Sequence, residues 1–142
     1  MDLSAIHSFM TQFRYGVVST IASNGAPQSA LVGIATTPAL EIIFDTVKSS
    51  RKYPNLVQRP ACSLVVGWGG EQTVQVEGDA FEPAGAELIR YQEAYFAVWS
   101  DGRARMSWPG IAYFVVRPRW LRYSDFNQSP PMIVEINFPV EH

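Results

Sequence analysis

Tyr15-Gly16-Val17-Val18-Ser19-Thr20-Ile21-Ala22-Ser23-Asn24-Gly25-Ala26-Pro27-Gln28-Ser29-Ala30-Leu31-Val32-Gly33-Ile34-Ala35 is the stretch that decides the fold. Tyr15 to Ala22 is rich in β-branched residues, Ser23-Asn24-Gly25 carries hairpin turn chemistry, and Ser29 to Ala35 reads as the returning strand. Two strands joined by a tight turn are antiparallel. Gly33, inside the second, marks a bulge or a point where something approaches the backbone.

Outward from this hairpin, Leu3, Ile6, Met10 and Phe13 form one stripe of a short amphipathic helix. After the Thr37-Pro38 break, Leu40, Ile42 and Phe44 alternate in a third strand. Ala61 to Trp68 is a nearly continuous apolar run closed by Gly67, Gly69 and Gly70. Thr73 to Phe81 has the cleanest two-residue period, with Val74, Val76 and Ala80 on one face and Thr73, Gln75, Glu77 and Asp79 on the other. Leu88, Tyr91, Tyr95, Phe96 and Trp99 return to helical spacing, and Asp101 to Pro109 reads as a polar, irregular stretch. Ala112 to Ser124 is a long strand in which Pro118 requires an edge or a bulge. Met132, Val134 and Ile136 make a last short strand. Strands joined by hairpins, with helices inserted, predict a mainly β antiparallel barrel rather than a doubly wound sheet. Some strands are apolar on both faces, so helices or a second subunit should cover the outside.

The chain has 142 residues, 47% of them hydrophobic and 17% charged, which fits one globular domain spanning residues 1–142. A net charge of −2 argues against a broad nucleic-acid footprint, so any anion site must be local. One cysteine, Cys62, and two histidines, His7 and His142, do not supply a Cys-rich or multi-histidine metal centre. Cys62 belongs in the core. Neither a secretory signal nor a membrane-length apolar run is present, and a cytoplasmic location is the expectation.

Phe44-Asp45-Thr46-Val47-Lys48-Ser49-Ser50-Arg51-Lys52 is the stretch richest in chemistry. A strand ends, hydroxyls follow, and a short helix within Ser50 to Gln58 opens beside two adjacent cations. Ser49 and Ser50 are expected caps, and Pro54 must sit in the first turn. Arg51 can fork onto phosphate oxygens, Lys52 adds a point charge, and Thr46, Ser49 or Ser50 can donate further bonds. The same residues would serve as a capped, solvated surface helix, and the stretch alone leaves both readings open. Among the tryptophans, Trp108 is the best stacking candidate, since it lies in a polar loop with Arg103 and Arg105. Asp45 and Glu77 read as exposed carboxylates, and no side chain stands out as an obligatory acid or base.

Three stretches in order widen the context: Gly25-Ala26-Pro27-Gln28-Ser29-Ala30-Leu31-Val32, then Phe44-x-Thr46-x3-Ser50-Arg51-Lys52-x3-Leu56-x3-Pro60, then Val74-Gln75-Val76-Glu77-Gly78. With Trp108-Pro109-Gly110 and Arg117-Pro118-Arg119-Trp120, the chain resembles the pyridoxamine 5′-phosphate oxidase-like, FMN-binding split-barrel family over roughly residues 10 to 124. The resemblance implies a six-stranded antiparallel Greek-key split barrel, a homodimer with FMN at the subunit interface, and hydride transfer to or from a small-molecule substrate. It places Arg51 and Lys52 on the FMN phosphate and Thr46 near the ribityl-phosphate region, with Ser50 of the same motif among the cofactor-binding residues. It sets Ala30, Leu31 and Val32 on a strand along the flavin, with Thr73 and Gln75 reaching the cofactor from the side or from the partner. The oxidases themselves carry basic residues about where Ala30 and Ala35 stand, and Met132 to His142 holds no arginine. Pyridoxamine phosphate is therefore not the expected substrate. The alternatives on the same fold are a reductase using the deazaflavin F420, and a flavin- or haem-binding protein without turnover.

Overall fold

The computed structural model describes residues 1–139. Helix α1 (Leu3–Met10) precedes strands β1 (Tyr15–Ile21), β2 (Pro27–Gly33), β3 (Ala35–Thr36) and β4 (Ile42–Val47). Then come α2 (Lys52–Gln58), β5 (Ala61–Val66), β6 (Gln72–Phe81), α3 (Gly85–Val98), α4 (Gly102–Arg105), β7 (Ile111–Asp125) and β8 (Met132–Asn137). All pairings are antiparallel, in the order β2-β1-β5-β6-β7-β4-β3 with β8 added on β7. The sheet curls until β2 touches β4 from its far side, so β1, β2, β4, β5, β6 and β7 make the split barrel that was expected. The two-residue β3 and the edge strand β8 extend it.

Alternation sorts the side chains. Val18, Val32, Phe44, Leu64, Val66, Val74, Val76 and Leu121 point inward into one core, which α1 plugs with Ile6, Phe9 and Met10. Cys62 sits in this core, where burial pushes its thiol up to about 12, and it is chemically quiet. The second apolar face is real on β4 and the start of β7. There Ile43, Tyr113 and Val115 pack under Tyr91, Tyr95 and Phe96 of α3. Beyond the Tyr15–Gly33 end, which Trp99 covers, the outer faces of β2, β1 and β5 have no such cover among the described residues.

Several local expectations are corrected. The returning strand starts at Pro27 and stops at Gly33, because the Ile34 amide turns to bond Arg14 and the next two residues pair with β4 instead. Leu40 is not in the third strand: it occupies a turn at φ 66°, its amide bonded to Thr37, and the strand begins at Ile42. Neither Ser49 nor Ser50 caps α2; Arg51 holds the cap position without a side-chain bond. Pro54 does lie in the first turn. The Asp101–Pro109 stretch contains the helical turn α4, clamped by Arg105 to Asp101 and Asp45. Pro118 sits where the β6–β7 register shifts, so the proline is accommodated by a bulge.

The glycine at position 33 is explained by close approach. The Trp99 indole lies over it and donates to the Ile34 carbonyl at 3.0 Å, and a Cβ at 33 would come within 2.8 Å of the ring. Arg14 stacks on the same indole at 4.1 Å and donates to the Val98 carbonyl. Gly33→Ala is expected to cost about 1–3 kcal/mol by overpacking, read as a lower urea midpoint at constant slope.

Candidate functional site

The β1–β2 register sets Val18 opposite Ala30 and Thr20 opposite Gln28, all four on the inner face of the hairpin. The face of α2 that presents Arg51 also presents Asn55, one turn later. Between hairpin and helix lies an open groove of about 400 Å³, walled by Val18, Thr20, Gln28 and Ala30 on one side and Arg51 and Lys52 on the other. Its size is that of a cofactor site, usually about 300–1,000 Å³.

The tight turn after β4, closed by the Ser50 amide on the Val47 carbonyl, folds the hydroxyls back behind the cations. Lys52 Nζ donates to Thr46 Oγ1 at 3.3 Å, and Thr46 Oγ1 donates to Ser50 Oγ at 2.9 Å. The chain ends on Ser50, whose own proton has no acceptor among the described residues. Burial lowers the Lys52 pKa from its ordinary value, since an ammonium loses hydration there. Among the described residues neither Arg51 nor Lys52 pairs with a carboxylate. The largest of the other clefts differs. In the 540 Å³ cleft beside the bulge, Arg117 pairs with Glu41 and Glu87 and Arg119 with Asp79, so those charges are already answered. α2 has only seven residues, so the anion-binding character rests on side chains more than on a helix dipole.

The structure gathers Ala30, Arg51 and Lys52 in one groove and ties Thr46 and Ser50 to it. Val32 is buried in the core below. Leu31, Thr73 and Gln75 lie on the opposite, outer face of the sheet, where Leu31 is 61% exposed and Gln75 stands between Val65 and Arg122. Trp108 is 52% exposed, with the Arg105 guanidinium 5.9 Å from its ring, and does not line the groove. Arg105 is committed to two carboxylates, and Arg103 stacks on Phe96 away from the groove, so neither faces the same cavity as Arg51 and Lys52. Asp45 is not exposed. Its oxygens accept from Tyr95 at 2.9 Å and from Arg105 at 3.0 Å. Glu77 is exposed as expected. His7 Nε2 lies 3.2 Å from the Thr36 carbonyl, away from the groove.

Val18, Thr20, Gln28 and Asn55 belong to the site although sequence reading did not single them out. Two signals could have found them: the hairpin register fixed by the Asn24-Gly25 turn, and the four-residue step from Arg51 to Asn55.

The family model described as Pyridoxamine 5′-phosphate oxidase matches residues 3–125. No curated protein matches. Among solved structures, a heme binding protein from Mycobacterium smegmatis superposes with a TM-score of 0.81 at 15% identity, covering 95% of this chain and 57% of its own. This chain therefore spans little more than half of that relative. General Stress Protein 26 from Bacillus anthracis gives 0.71 at 22% identity, covering 96% of this chain and 100% of its own. A pyridoxamine 5′-phosphate oxidase-related, FMN binding protein from Nostoc punctiforme gives 0.66 at 13% identity, covering 97% and 93%. At these identities the likeness establishes the fold.

Proposed function

The chain belongs to the pyridoxamine 5′-phosphate oxidase family, and from that premise we propose that it is a flavoprotein holding FMN in the groove between the β1–β2 hairpin and the start of α2. The observation that carries this reading is the pair Arg51 and Lys52, facing one cavity with no carboxylate partner among the described residues. A phosphate dianion supplies the missing charge. The donor set fits: a guanidinium fork, an ammonium and the free Ser50 hydroxyl suit the terminal phosphate, while Val18 and Ala30 offer apolar surface. The alanine at position 30 leaves the groove without a second cation on its hairpin wall, which speaks for a substrate other than pyridoxamine phosphate.

Bound there, FMN supplies hydride chemistry at its N5. The protein's work is to grip and orient. Arg51 fixes the phosphate in two directions, Lys52 neutralises it, and Thr46 holds the Lys52 ammonium in place. Haem needs an axial ligand such as histidine, cysteine, methionine or tyrosine, and none is among the described residues lining the groove. We assign the second wall of the site to another copy of the chain. Leu31, Val17 and Val65 are adjacent across β2, β1 and β5 on the uncovered outer face. A homodimer over this face would bring Leu31, Thr73 and Gln75 towards the partner's groove.

Protein purified after riboflavin-rich growth should be yellow, or should quench FMN fluorescence on titration; binding of F420 with no response to FMN would assign the deazaflavin reading instead. Bleaching by NAD(P)H would separate a reductase from a passive binder. Affinity should also depend on pH through Lys52. A lysine with a lowered pKa loses its charge on the alkaline side below the ordinary value of 10.5. FMN binding therefore weakens as pH rises through that lowered value, and riboflavin, lacking the phosphate, shows a flatter profile.

A further inference from the structure

Asn55 is buried, and its amide nitrogen has two protons to give. One goes to Thr20 Oγ1 at 3.0 Å and the other to Gln28 Oε1 at 2.9 Å, so both are spent across the helix–hairpin gap. The Gln28 carboxamide is thereby anchored by its oxygen. Its nitrogen end, with two further protons and no acceptor among the described residues, is the end left free at the groove. Had the carboxamide been free to turn, it could offer a ligand either a donor or an acceptor. With its oxygen held, it offers a donor.

We propose that Gln28 is a specificity-determining contact of this groove, accepting only a ligand that presents oxygen acceptors beside the terminal phosphate, and that Asn55 is the residue that positions it. The inference rests on the FMN reading above and deepens it. Gln28 stands on the hairpin wall facing the α2 face that carries both Asn55 and Arg51. Its donor and the Arg51 fork therefore converge on the same phosphorylated arm from opposite sides. Asn55 reaches no ligand in this account; it acts through the orientation of Gln28. Arg51, Lys52 and the Gln28 nitrogen then present only donors to the ligand, which discriminates against a neutral arm or one ending in an amine.

The test is titration of the full chain with FMN and with riboflavin, followed by flavin fluorescence, for the wild type, Gln28→Ala, Gln28→Glu, Asn55→Ala and the Gln28→Ala/Asn55→Ala pair. Gln28→Ala should weaken FMN about tenfold and riboflavin much less. Gln28→Glu should weaken FMN further, because a carboxylate then faces the phosphate. Asn55→Ala should weaken FMN to a similar extent, and the double variant should bind within about twofold of Gln28→Ala, since the two losses are one loss. A purely structural Asn55 would lower stability without that coupling. The Gln28 variants, on a half-exposed hairpin position, keep the test decisive if Asn55→Ala does not fold. FMN affinity unchanged in Gln28→Glu, or losses from Gln28 and Asn55 that simply add, would overturn the proposal while leaving the FMN reading standing. A wild type that binds no FMN would overturn both.

Discussion

Arg51→Ala combined with Lys52→Ala is expected to weaken FMN binding about a hundredfold to ten-thousandfold. Two charge-assisted contacts are lost at about 1.5–3 kcal/mol each. The variant should remain folded. Neither cation is in an ion pair among the described residues, and burial already disfavours the Lys52 charge, so its removal relieves a cost. The thermal midpoint should hence move little in the absence of ligand, while the stabilisation that saturating FMN gives the wild type disappears. Titration by fluorescence and a melting curve with and without FMN check both halves. Riboflavin affinity, which does not involve the phosphate, should be far less affected. Equal losses for the two flavins would move the phosphate away from these residues.

Asp45→Ala should do the opposite, costing stability and sparing the site. Asp45 faces outward from β4, with its side chain 14% exposed, and serves α3 through Tyr95 and α4 through Arg105. Desolvation first, then the neighbouring Asp45 charge, pushes the Tyr95 hydroxyl pKa upward, so that phenol stays a donor. Deleting the carboxylate leaves a mostly buried guanidinium with only the exposed Asp101, and strands the Tyr95 hydroxyl. The expected cost is about 3 kcal/mol, at the lower end for a broken buried pair because Asp101 remains. A urea titration measures it. Thr46, the next residue, points to the other face of β4 towards Lys52, so FMN affinity of the folded variant should stay within about twofold. A stability unchanged within 0.5 kcal/mol or so would show that α3 and α4 are held by their apolar contacts alone.

The opposite roles of residues 45 and 46 mark how far local sequence pattern specifies this structure. Period-two alternation identifies β1, β2 and β6 directly, because each has one face on the core and one outside. The antiparallel barrel follows from their turns. Asp45 misled for the same reason: alternation puts it outside, but outside on β4 means under α3, and nothing local to β4 announces that helix. Leu40 has the pattern of a strand and the conformation of a turn, a choice made by the Thr37 carbonyl and not by hydropathy. Arg105 read as a possible ligand because its two carboxylates are four and sixty residues away. In the site, the adjacent cations Arg51 and Lys52 were visible as a cluster in sequence. Gln28 and Asn55 were not, since their meaning lies in a bond between residues 27 positions apart.

The measurement that bears most directly on this account is the electron density of a crystal grown with excess FMN. The phosphate is expected between Arg51 and Lys52, within hydrogen-bond reach of Ser50, with the flavin lying against the β1–β2 wall. Density for the phosphate elsewhere on the molecule, or a groove that stays empty while FMN saturates the protein in solution, would contradict it.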